Sequence, residues 1–421
     1  MEKSSADPRR WPVLIGYTMV ALSSQFVWLN FSGILTPQFQ DVFHAGLGML
    51  GLMSAVWPLV FIPLSIPVGL LIDRRGFRVP VLAGAGTVMV FSWLRLLAGT
   101  DFEVLFVFQS LASVGQPFIF NGISKLSGEW FPRQEQALAN GIGTMGQILG
   151  MILALVTVPL MVPSPSYAEI VRSMVLVSAV CTASFLAFLA FSREQPMATP
   201  PEASAHFMGS MRSVIRIRNI QVLMALFFIG VGVFSSLAQW IETIMAGRGI
   251  SPLDGGITGA IMLVAGISGM VAVPVVAEKW GSLRKFVIAN SLFSALFLFA
   301  LSFRMPAGYY FVVSFAEGFF LISLAPLGLQ ISLESAGEEN AGTAAGLIWL
   351  LSQVGALLLI VVVPSLYSLQ DALRVEASDP GFLAVLVLAI LVLAGALLSL
   401  MIRETRPGAG SGMAGQAGVR D

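Results

Sequence analysis

The sequence predicts an all-α membrane protein, with twelve transmembrane helices arranged as two six-helix pseudo-repeats. Three observations predict it. First, 56% of the 421 residues are hydrophobic and only 11% are charged. A soluble globular chain carries about 25% charged residues, so this chain has too little charge to cover a water-facing surface. Second, twelve segments are apolar over the roughly 20 helical residues that a hydrocarbon core of about 30 Å requires. Third, landmarks in the first half recur in the second at a constant spacing.

The first six spans are expected near residues 11–36, 47–72, 79–99, 102–125, 136–161 and 168–192. The second six are expected near 219–246, 252–277, 286–304, 307–332, 341–368 and 378–403. The runs are continuous rather than alternating with a period of two, which argues against transmembrane β-strands. Arg9-Arg10 before the first run superficially matches a signal peptide. The run from Trp11 to Thr36 exceeds the roughly 7–15 residues of a signal h-region, so a retained first span is expected.

The organisation that follows is a six-helix half over 1–192, a linker over 193–218, a second six-helix half over 219–403 and a flexible tail over 404–421. The linker carries Gln195-Pro196 and Thr199-Pro200-Pro201, a polar and Pro-containing composition. Placing the N-terminus in the cytoplasm puts all but five of the 23 lysines and arginines inside. The five outside are Arg95, Arg172, Arg248, Arg304 and Arg374. That bias orients a polytopic protein, so both termini and the linker are expected in the cytoplasm. Short outer loops without an N-x-[ST] acceptor fit a bacterial inner membrane.

The repeat is visible in single residues. Asp73-Arg74-Arg75-Gly76 has a counterpart in Glu278-Lys279-Trp280-Gly281, an offset of 205 residues. The same offset maps Gly141 onto Gly346 and Gly150 onto Gly355. Parallel six-helix repeats with a midplane site between them are the plan of one large class of transporters.

Other classes are disfavoured. The formal net charge is zero, so nucleic acid is not an expected partner. The single cysteine, Cys181, and the two histidines, His44 and His206, form no cluster with metal-ligand spacing. No Walker-type loop points to ATP, and no Ser/His or His/Asp/Glu constellation lies at a membrane surface to serve an enzyme. The expected partners are a small-molecule substrate and membrane lipid, with no cofactor, and the chain is expected to be a monomer.

Polar groups inside a bilayer are costly without partners. Gln25, Asn30, Gln109, Gln116, Asn121, Gln147, Gln239 and Gln353 therefore need explaining. Amides can simply bond helix to helix. Gln116, Gln147 and Gln353 lie about halfway through their spans, where they could instead orient a polar solute. Trp28 falls in the middle of the expected first span, away from the interfacial level where tryptophan is enriched. Its face can hold a cation or merely pack, and Phe234 could add a weaker second face. Glu317 is expected near the midplane as proton relay, ammonium partner or ion-pair strut. Glu242 and Arg95 are expected nearer the outer ends as gate or snorkelling residues. The glycines at 141, 143, 146, 150, 342, 346 and 355 are expected to be close-packing surfaces.

The stretch Gly69-Leu-Leu-Ile-Asp73-Arg74-Arg75-Gly76-Phe-Arg78 resembles the loop between helices two and three of the major facilitator superfamily. Glu278 and Gly281 hold the degenerate second copy. The resemblance implies that these residues act in conformational switching, with the acidic residue capping a neighbouring helix; orphan N–H groups and the helix dipole would stabilise it there. Helix four lacks the arginine of proton antiporters, and helix five has Gln147 where their motif places proline.

Gln116-Pro117-Phe118-Ile119, Pro326-Leu327-Gly328 and Trp28 in Gln25-Phe-Val-Trp28-Leu-Asn30 resemble the carriers related to the feline leukaemia virus subgroup C receptor. That resemblance implies transport of choline and ethanolamine, with haem also proposed. In that family the ammonium sits against a helix-one tryptophan and a helix-seven tyrosine. Carried over, Trp28, Gln116 and Gln353 match. Gln147 stands for an asparagine, Phe234 for the tyrosine, and Trp349 for another asparagine. The implied function is secondary or facilitative transport of a small organic solute by alternating access, with a choline-like amine as the implied solute. A proton-coupled exporter of an amphiphile and a transporter-like solute sensor are the alternatives.

Overall fold

A computed structural model describes residues 7–193, 207–337, 340–373 and 380–403. The expected linker prolines at 196, 200 and 201 and the expected tail over 404–421 lie outside the described residues. Among the described residues, twelve helices are long and apolar enough to cross a membrane. They are α1 (Arg10–Leu29), α2 (Leu47–Arg75), α3 (Arg78–Ala98), α4 (Phe102–Trp130), α5 (Gln134–Met161) and α6 (Tyr167–Phe191), then α7 (Arg218–Ala246), α8 (Pro252–Lys279), α9 (Leu283–Leu301), α10 (Ala307–Ala336), α11 (Ala341–Ala372) and α12 (Phe382–Ser399). With an even number of spans, Arg10 and Ser399 lie at one face of the bundle, called here the terminal face.

Large apolar side chains point outward, including Leu97, Val271, Val312 and Leu397. In water such a surface would aggregate; against lipid it is what a spanning bundle needs. Lipid also removes most of the hydrophobic drive for helix to meet helix, so close packing of small residues must hold the bundle. Gly150 of α5 lies so close to α1 that a Cβ there would strike the Leu22 carbonyl. Its repeat partner Gly355 of α11 stands in the same relation to the Phe228 carbonyl of α7. Each repeat thus packs its first helix on its fifth through the same glycine. Pro159 in α5 and Pro364 in α11 obey the same 205-residue offset. Gly76 after α2 and Gly281 after α8 both have positive φ, 76° and 66°, a conformation glycine adopts without a Cβ penalty.

Two irregularities position the site. Helix α1 stops at Leu29 rather than running to residue 36; a turn follows, then a short π-helical stretch over Leu35–Phe39. Helix α4 is interrupted at Val114, between Phe102–Ser113 and Gly115–Trp130. Pro117 supplies no N–H and its ring crowds the carbonyl four residues back, at Ser113, which breaks the helix there. The repeat partner α10 is interrupted at Ser323, three residues before Pro326, for the same reason.

Several expected close-packing glycines do not pack. Gly141, Gly342 and Gly346 have nothing within 4 Å of a Cβ position, whereas Gly143, Gly146, Gly150 and Gly355 do. The unpacked ones lie toward the terminal ends of α5 and α11.

Candidate functional site

A small, partly open hollow lies between α1, α4 and α5, lined by Ala21, Ser24, Gln25, Gln116, Ile119, Phe120 and Gln147. It is at mid-depth: Gln147 is about 20 Å along α5 from Gln134, at about 1.5 Å rise per residue. The break in α4 sets Gln116 at its wall. Ser24 Oγ, Gln25 Oε1 and Gln116 Oε1 are buried there without any hydrogen-bond partner. Three orphaned polar atoms around one hollow is an arrangement a ligand relieves, because buried polar groups are otherwise almost always paired. Phe120 closes one side. Its ring meets Trp349 of the second half edge-on, with centroids 5.7 Å apart. Trp349 in turn rests against Phe227 at 5.8 Å, and Phe120 against Phe61 at 5.3 Å.

Of the sequence-predicted site residues, Gln116 and Gln147 line the hollow and Trp349 reaches it through Phe120. Ser24, Gln25 and Phe120 were not among the predicted site residues. The available signal was Gln25, three residues before Trp28 and so on the same helix face. Trp28 itself is not in the middle of its helix. The helix ends one residue later, so Trp28 occupies the last turn, one turn beyond Gln25. Its indole N–H donates to the Ser54 carbonyl of α2 at 3.1 Å. Phe234 and Gln353 are half-buried in the second half and line no part of the hollow. Glu317 is fully buried, but its carboxylate accepts from Ser294 Oγ of α9 at 2.8 Å. It faces a neighbour within its own half and is not grouped with the amides.

The hydrogen bonds described between the halves all lie toward the face opposite the termini. Gln239 of α7 accepts from Ser32 Oγ at 2.5 Å and from Ser54 Oγ. Glu242, one turn on, accepts from the Thr36 backbone N–H at 3.2 Å, and Thr36 also meets Thr243 at 3.5 Å. Neither Glu242 nor Arg95 snorkels, for both are 0% exposed. Glycines complete this seam: a Cβ on Gly256 of α8 would strike the Leu155 carbonyl of α5, and one on Gly51 of α2 would meet the Trp240 ring at 2.9 Å.

At the terminal face the expected switch residues do not bridge the halves. Asp73 and Arg74 are exposed, and Asp73 caps no helix: it makes no hydrogen bond among the described residues. Arg78 donates instead to the Ser192 carbonyl, 2.9 Å away at the end of α6. Gly69 has open space around it, and Glu278 is exposed beside Gly281.

Twelve spans, an internal repeat and a polar hollow at mid-depth beside a seam define a membrane carrier. Residues 13–360 match the Major Facilitator Superfamily, and the chain belongs to that family of transporters. It is 26% identical over 376 residues to solute carrier family 49 member A3 of Xenopus tropicalis, covering 84% of this chain and 77% of that one. It is 25% identical over 367 residues to the choline/ethanolamine transporter flvcr2b of Danio rerio, covering 82% and 76%. In fold it is similar to a bacterial homologue of the human lysosomal transporter Spinster in an inward-facing and occupied conformation. There the TM-score is 0.77 at 14% identity, over 95% of this chain and 98% of that one.

Proposed function

We propose that this carrier moves a small hydroxylated amine of the choline and ethanolamine class by alternating access, binding it in the hollow at the α4 break. The observation that carries the reading is the set of unpaired atoms on Ser24, Gln25 and Gln116. The amide oxygens offer acceptors to a hydroxyl or ammonium hydrogen, and their dipoles favour a cation. Phe120, and Trp349 behind it, supply aromatic faces that attract an ammonium group, worth about 0.5–2 kcal/mol. Trp28 stands a turn further out along α1, beyond the residues that line the hollow. The similarity to the choline/ethanolamine transporter flvcr2b supports this solute class. With the terminal face in the cytoplasm, as the Lys/Arg bias indicates, the arrangement is an inward-facing one: sealed outside by Gln239 and Glu242, parted inside at Gly69 and Gly342.

The test is uptake of radiolabelled choline and ethanolamine into proteoliposomes, with thermal-shift binding in parallel. Saturable uptake by wild type is expected, with the apparent affinity falling about tenfold in Gln116→Ala, the equivalent of one hydrogen bond to a charged ligand. Binding without uptake would make the chain a sensor. Neither binding nor uptake would remove the amine reading.

A further inference from the structure

Arg95 is a buried guanidinium that the proposed binding site does not use. It lies at the end of α3, 0% exposed, and no carboxylate pairs with it among the described residues. Its Nη1 donates to Asn30 Oδ1 at 3.0 Å and to Gln109 Oε1 at 2.9 Å. Gln109 passes the contact on, donating from Nε2 to the Val27 carbonyl at 3.3 Å. The guanidinium also lies over the Phe31 ring, 5.5 Å from its centroid, and its Nε reaches the Ser92 carbonyl at 3.5 Å.

These partners are not scattered. Val27, Asn30 and Phe31 bracket Trp28, at the place where α1 ends within the protein and its last carbonyls lose their helical donors. The C-terminal ends of α1 and α3 converge on Arg95, and both carry the negative end of a helix dipole. Two helix ends and two amide oxygens therefore take the part of the missing carboxylate. An apolar side chain of similar volume would pack here at lower cost, but it would leave the broken end of α1 unheld. The residues just beyond, Ser32 and Thr36, carry the seam contacts to Gln239 and Glu242.

We infer that Arg95 is a positioning residue: with Gln109 and Asn30 it clamps the broken end of α1 and thereby fixes Trp28 beside the amine site. This rests on the reading of the hollow as an amine site, so the experiment separates the two. Protein labelled with 5-fluorotryptophan gives a Trp28 fluorine resonance, assigned by its loss in Trp28→Phe, that needs no ligand. Arg95→Gln is expected to shift or broaden the Trp28 resonance while leaving that of the distant Trp280 in place. In choline uptake, Arg95→Gln is expected to raise KM about tenfold in wild type and less than twofold in Trp28→Ala, since the two act as one unit.

An unmoved Trp28 resonance overturns the inference, as do KM effects that simply multiply. If wild type takes up no amine, the proposed substrate fails, yet the resonance still decides the clamp. Should Arg95→Gln not fold, Gln109→Met removes the link to Val27 and must move the same resonance; if it does not, the clamp is absent.

Discussion

An amide side chain in a bilayer is costly without a partner, and the amides here differ in whether they tie one helix to another or leave a carbonyl oxygen unpaired. Asn30, Gln109, Asn121 and Gln239 each hold another helix through side-chain hydrogen bonds. Gln25 and Gln116 keep an unpaired oxygen facing one hollow. This division predicts opposite outcomes for two substitutions. Gln116→Ala is expected to weaken amine binding about tenfold with little loss of stability, because it removes an acceptor that bonds nothing in the free protein. Glu317→Gln is expected to change KM by less than about twofold. Its Ser294 contact lies away from the hollow, and a glutamine oxygen accepts the same bond. Thermal-shift titration of both variants with choline checks the pair; a Glu317→Gln protein that no longer binds would return Glu317 to the site.

At the scale of the helix, glycine and proline decide where the chain can approach and where it must break. Gly150 and Gly355 each support a neighbouring backbone carbonyl, so Gly150→Ala and Gly355→Ala force α5 off α1 and α11 off α7. Such overpacking costs typically 1–3 kcal/mol, and a fall in melting temperature of several degrees is expected for each. Gly141→Ala and Gly346→Ala meet open space in this state and are expected to leave the melting temperature unchanged. The twelve spans and the offset are legible in the sequence because length, hydropathy and glycine spacing are local properties. The end of α1 is not legible: Asn30 to Thr36 is still apolar enough to pass as helix, so the expected span is seven residues too long. The contact that holds the broken end, Arg95 to Asn30, comes from over sixty residues away in sequence. The placement of Glu317 is not legible either, since depth says nothing of which face of α10 a side chain occupies. Gln147 and Gln116 were legible because each is polar and near the centre of a long apolar run.

Across the whole molecule, the hydrogen bonds described between the halves gather at one face, and helix geometry fixes how such a seam would exchange with one at the other face. Helices α2 and α11 run antiparallel and touch near the opposite face, where Gly51 lies against the Ile360 carbonyl. Moving 18 residues along each helix, about 27 Å, leads from Gly51 to Gly69 and from Ile360 back to Gly342, which lie toward the terminal face with nothing near them. If the halves rock about the mid-depth hollow, these two glycines are the pair that must meet when the opposite seam opens. A Gly69→Cys, Gly342→Cys protein, with Cys181→Ser to remove the native thiol, is therefore expected to form a disulfide during turnover and to stop transporting once it forms. The opposite seam is held in part by Gln239, which accepts from both Ser32 and Ser54. Gln239→Leu removes both bonds, each worth about 0.5–1.5 kcal/mol, and a shift of 1–2 kcal/mol changes a two-state ratio by about 5–30-fold. Adding Gln239→Leu should therefore raise the rate of cross-linking several-fold. A cysteine pair that never cross-links under turnover, with or without Gln239→Leu, would mean that the halves do not close about this axis.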